Sequence, residues 1–142
     1  MNRKQRILIT KDSVDSTSGL QDALVSRGLE VVCAPRDGKR ILELLHSPSK
    51  FDAALIDFNL AQTDAIGVIS EAKSVSPSTK IMVMSAFITG EIERQVFDAG
   101  GKYLFLKPFD PSMAAQRLVT LTEPDSEPAA RSGFGGSIGE TE

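Results

Sequence analysis

Four short apolar runs in this chain end in polar residues. Lys11 and Asp12 follow ILIT, Asp57 follows AALI, Ser85 ends KIMVMS and Lys107 follows YLFL. Any one of these read alone is a solvated strand terminus. Together they make a reactive set, because an apolar run fixes where the residue that ends it emerges. The chemistry such a set supports is phosphoryl transfer. The Asp57 carboxylate is a competent nucleophile toward phosphorus, Asp12 and Asp57 are hard oxygen ligands suited to Mg²⁺, and the Lys107 ammonium and Ser85 hydroxyl could hold the remaining phosphoryl oxygens.

Elements must converge for this to work, and the pattern predicts that they do. Apolar runs predict strands at Ile7 to Thr10, Glu30 to Ala34, Ala53 to Ile56, Lys80 to Ser85 and Tyr103 to Leu106. Several are apolar on consecutive residues, as a parallel sheet covered on both faces requires. Between them lie stripes of helical spacing: Leu20 with Leu24; Ile41, Leu42 and Leu45; a helix near Ala65 to Val75; Ile88, Ile92 and Val96. A last helix from about Pro111 to Leu121 would turn Met113, Ala114, Leu118 and Leu121 inward. Gly28 is read as a helix terminator and Asp37-Gly38 as a helix-opening turn. Alternating β and α elements predict an α/β fold, a flavodoxin-like, doubly wound, five-stranded parallel sheet of order 2-1-3-4-5 with five helices. Ligands of such sheets sit beyond the carboxyl ends of the central strands, so function is sought after strands 1, 3, 4 and 5.

Composition narrows the classes. The chain has 142 residues and 41% hydrophobic content, enough for one core. Residues 1–122 are assigned to one domain and residues 123–142, rich in Pro, Gly, Ser and acids, to a disordered tail or linker. Five of the 19 acids and one of the 16 bases lie in that tail, leaving a body with 14 acids and 15 bases. A near-neutral body is no footprint for nucleic acid. No apolar stretch is long enough to span a membrane, so a cytoplasmic protein is expected. Cys33 is the only cysteine and is expected as a small buried hydrophobe; His46 is the only histidine and is expected at a helix C-terminus.

The stretches ILITKDS, DAALIDFNLAQTDAIG, IMVMSAF and AGGKYLFLKPF resemble the receiver domain of two-component response regulators over about residues 5 to 121. Asp57 lies 45 residues after Asp12 and 50 before Lys107. The resemblance implies a signalling domain rather than an enzyme. Asp57 would accept phosphate from a sensor histidine kinase or phosphotransfer protein, while Asp12, Asp57 and the Asn59 carbonyl would hold Mg²⁺. Lys107 would pair with the acyl phosphate, Ser85 would move toward it, and the Lys107-Pro108 bond would be cis. An unidentified downstream protein would read the face of helix 4, strand 5 and helix 5, and a homodimer stays open.

The departures are local. Lys11 stands where the family has the first of two acids, so an inward Lys11 would leave the pocket with a formal charge of zero and would oppose Mg²⁺. Leu104 occupies the switch position usually held by an aromatic, and Tyr103, one residue away, should point to the opposite face. Ala61 and Ala65 replace a usual proline and glycine, and Phe87 is expected to cap the pocket. A pseudo-receiver with Lys11 ion-paired to Asp57, acting as a phosphorylation-independent interaction module, is therefore the alternative. An aspartyl phosphatase would want an acid at Asn59, and a flavin protein using the hydroxyls of residues 15–19 lacks aromatic stacking partners. The chain reads as a stand-alone receiver or the front of a longer regulator.

Overall fold

Parallel pairing takes up each apolar run in turn. In a computed structural model, which describes residues 4–11, 16–48, 50–60 and 64–123, the strands are β1 (Arg6–Thr10), β2 (Glu30–Ala34), β3 (Ala53–Asp57), β4 (Lys80–Ser85) and β5 (Tyr103–Leu106). They form one sheet of order β2-β1-β3-β4-β5, all neighbours parallel. The expected fold class is the observed one. Two strands run one residue past the apolar pattern, because the ladder continues through Arg6 opposite Glu30 and through Asp57 opposite Met84. Asp57 thus closes β3 instead of following it.

The helices are α1 (Ser16–Ser26), α2 (Gly38–Leu45), α3 (Ala65–Val75), α4 (Gly90–Ala99) and α5 (Pro111–Thr122). Side-chain alternation along each strand feeds two cores. Leu8, Ala54, Ile56, Ile81, Val83 and Leu104 pack toward α2, α3 and α4. Ile7, Ile9, Ala53, Leu55, Met82, Met84 and Phe105 pack toward α1 and α5. Burial on both faces explains the unbroken apolar runs, since neither parity of the strand meets water. Among the described residues no helix is long and apolar enough to cross a membrane.

Local signals set the helix ends. Asp37 caps α2 by accepting from the Lys39 N–H, Thr89 caps α4 by accepting from Ile92, and Asp110 caps α5 by accepting from Met113. His46 is the exposed C-cap of α2, as expected. Gly100 ends α4 at φ 115°, and a Cβ there would lie 2.4 Å from Lys73 Cγ, so conformation and packing both require glycine.

Two burial expectations are corrected. Met113 is 70% exposed, and Ala114, Ala115 and Leu118 form the inward stripe of α5 instead. Ala114 and Leu118 lie inward as expected, and Leu121 is partly buried against the same core. Cys33 is exposed, since β2 is an edge strand with incomplete cover. Residues 124–142, most of the expected tail, lie outside the described residues.

Candidate functional site

The carboxyl edge of the sheet is organised around Asp57. The Thr10 hydroxyl donates to the Leu55 carbonyl at 3.0 Å and accepts from the Asp57 N–H at 3.3 Å, so β1 fixes the direction in which β3 ends. Asp57 is fully buried. A carboxylate in that position requires partners. Its Oδ1 accepts the Asn59 N–H at 2.9 Å, and its Oδ2 accepts from Lys107 Nζ at 2.9 Å. The Lys107 side chain is itself only 12% exposed. Its backbone N–H donates to the Ser85 carbonyl at 2.8 Å, which ties the exit of β5 to the end of β4. The Lys107-Pro108 bond is cis, as expected.

Ser85 reaches the same edge but is engaged elsewhere. Its hydroxyl donates to the Phe87 carbonyl at 2.6 Å and accepts the Phe87 N–H at 3.1 Å, closing a turn on itself. Phe87 does not cap the pocket. Its ring is 76% exposed, because that turn points the side chain outward.

Lys11 does not enter the pocket. Its backbone N–H donates to the Ala34 carbonyl at 2.6 Å, toward the edge strand, and the residue is exposed beside Cys33. The ion pair on Asp57 comes from Lys107, so the Lys11 to Asp57 pair of the alternative reading is corrected. Leu104 is buried in the core on the α3 and α4 side of the sheet, whereas Tyr103 packs on the other face, its ring 4.7 Å from that of Phe105 with the Arg117 guanidinium 5.5 Å above it. The one-residue displacement thus has the expected effect. Ala65 begins α3 after the Asp64 cap. Asp12 and Ala61 lie outside the described residues.

Two participants escaped the sequence reading. Thr10 is the polar end of an apolar run, which the alternation reads only as strand. Arg36, after β2, donates from Nη1 to the Asn59 carbonyl at 3.3 Å. The loop after an edge strand is not where topology directs the search.

The donor chemistry bears on a divalent cation. The Asp57 carboxylate and Asn59 carbonyl are hard oxygens of the kind Mg²⁺ takes. Both already face cationic side chains, Lys107 and Arg36 respectively. The oxygens suit the ion, and the cations oppose it.

Comparison with known proteins gives a consistent result. The family model described as response regulator receiver domain matches residues 7–119. The chain is 28% identical over 114 residues to the chemotaxis protein CheY of Thermotoga maritima, covering 80% of this chain and 94% of the relative. It is 30% identical over 115 residues to CheY of Bacillus subtilis, covering 80% and 93%. In fold it is similar to the CheY-like receiver domain protein of Methanospirillum hungatei JF-1, with a TM-score of 0.75 at 20% identity over 84% of this chain and 94% of that one.

Proposed function

The chain belongs to the response regulator receiver domain family, and from that premise we propose that Asp57 accepts a phosphoryl group from a sensor histidine kinase or phosphotransfer protein. The observation that carries this reading is the buried Asp57 carboxylate, oriented by the Asn59 N–H and paired with Lys107 at 2.9 Å. In the transfer, a bond forms from a carboxylate oxygen to phosphorus while the nitrogen to phosphorus bond of the donor histidine breaks, and the imidazole leaves with the bonding pair. The Asn59 N–H holds one carboxylate oxygen in place. Lys107 has a flexible stem, so its ammonium can follow negative charge from the carboxylate to the phosphoryl oxygens. The Ser85 hydroxyl must leave the Phe87 backbone to reach the new group, exchanging two neutral hydrogen bonds for one charge-assisted one.

Mg²⁺ would be held by Asp57, the Asn59 carbonyl and Asp12, and would offset charge on the moving phosphoryl group. The output surface is the face of α4, β5 and α5. Phe87 and Leu106 expose apolar area beside the pocket, with Leu106 at 48%, and rearrangement of the Ser85 turn would alter that area.

Incubation with acetyl phosphate and Mg²⁺ followed by intact mass measurement tests the proposal. A gain of one phosphoryl mass that disappears in Asp57→Asn is expected. Repeated absence of the gain in the native protein would overturn it.

A further inference from the structure

The Asn59 carbonyl is the one pocket oxygen whose described partner comes from outside the β3 to β5 half of the site. Arg36, itself partly buried, reaches it from the loop between β2 and α2 in a contact open to solvent. The loop is well defined. The Asp37 N–H donates to the Pro35 carbonyl at 2.7 Å, and the Asp37 carboxylate caps α2, so Arg36 projects from a short braced corner. The first turn of α2 carries Lys39 and Arg40 behind the single acidic cap Asp37. With Arg36, this corner holds three bases against one acid.

We propose that Arg36 is a built-in competitor for the divalent cation, its guanidinium holding the Asn59 carbonyl until a cation displaces it. The inference rests on the phosphoacceptor reading of the pocket, for which the cation is needed. Two features give the contact this character. A single hydrogen bond of 3.3 Å from a guanidinium to a neutral carbonyl is weak beside the 2.9 Å pair of Lys107 with Asp57, so Arg36 is displaceable where Lys107 is not. Its charge also acts without contact. Counting Asp12, the second carboxylate proposed for the cation, with Asp57, Lys107 and Arg36, two acids and two bases sum to zero, and removal of Arg36 would leave a net negative set that attracts a divalent ion. Lys11, the residue whose type suggested opposition to the metal, stands exposed at the rim. Arg36 supplies the opposition from a place the family pattern does not mark.

The test is direct binding of cation to the unphosphorylated protein at fixed ionic strength. Mg²⁺ is titrated by calorimetry and Mn²⁺ by electron paramagnetic resonance. Arg36→Gln should bind either ion about fivefold to tenfold more tightly, the scale set by Coulomb repulsion in a largely aqueous, salt-screened setting. Lys39→Gln removes an equal charge that makes no contact with Asn59, and should change affinity less than twofold. Thermal unfolding of both variants should match the native protein, since both side chains are at the surface. Equal affinities in native and Arg36→Gln protein, equal tightening in Lys39→Gln, or no cation binding in any of the three would each overturn the competitor role. Acetyl phosphate labelling is scored separately. A mass gain beside any of those results leaves Asp57 as phosphoacceptor, and only its absence removes that reading.

Discussion

Lys11 and Lys107 leave the same edge of the same sheet, yet one is exposed and the other is nearly buried against Asp57. Their side chains are identical, so the backbone decides. The Lys107 N–H is tied to the Ser85 carbonyl at 2.8 Å, which holds its stem over the central strands. The Lys11 N–H is tied at 2.6 Å to Ala34 on the edge strand, which turns it from the pocket. A lysine becomes part of a site when the ladder delivers it to a carboxylate that has no other recourse. The two halves of the edge differ accordingly: the β3 to β5 half is interlocked around Asp57, and the described part of the β1 to β2 half contributes the cations Lys11 and Arg36.

Breaking the interlocked half should have the largest effect. Lys107→Met strands a fully buried carboxylate, and urea unfolding should show a loss of about 3 kcal/mol along with abolished labelling by acetyl phosphate. Asp57→Asn also abolishes labelling but should cost less stability, because the freed ammonium can swing to solvent on its four-carbon stem. If the two variants unfold at the same urea concentration, the buried pair is not the constraint that separates the halves.

A smaller effect is expected one step back from the pair. Thr10→Val keeps shape but removes the hydroxyl that joins Leu55 and Asp57, leaving a buried carbonyl and N–H without that partner. Denaturation should register about 1–2 kcal/mol. Thr10→Ser, which keeps the hydroxyl, should lose less than half of that. Equal losses would mean that methyl packing, and not the bridge to β3, is what Thr10 contributes.

Much of this arrangement was legible beforehand, and the failures have a common cause. Strand order, the register of Asp57, Ser85 and Lys107 at one edge, and the opposite facing of Leu104 and Tyr103 follow from period-two alternation and from burial on both faces, which composition reports directly. Met113, Cys33, Phe87 and Lys11 depend on something outside periodicity: the width of the face that α5 buries, cover at a sheet edge, a turn closed by a hydroxyl, and a backbone tie to a neighbouring strand. Arg36 was missed for a different reason. A guanidinium has enough reach to enter a site from a loop that topology assigns to the periphery.

The smallest effect belongs to the rim. Lys11→Gln should leave labelling of Asp57 within about twofold of native, since an exposed, salt-screened charge contributes little at the buried carboxylate. Its consequence should appear at Cys33. Although Cys33 is exposed at the sheet edge, partial desolvation of its sulfur raises the thiol above its ordinary pKa, and the neighbouring Lys11 charge pulls it partly back. Removing the ammonium leaves desolvation unopposed, so the thiolate fraction near pH 8 falls and alkylation by iodoacetamide should slow by about twofold. The sign for stability follows from the same shift. A thiol whose pKa is higher folded than unfolded contributes stability below the unfolded value, near pH 8.5, and loses it as pH rises through the folded one. Lys11→Gln should therefore steepen the alkaline decline slightly. Unchanged alkylation in the variant would place the ammonium away from Cys33 and reopen its entry to the pocket.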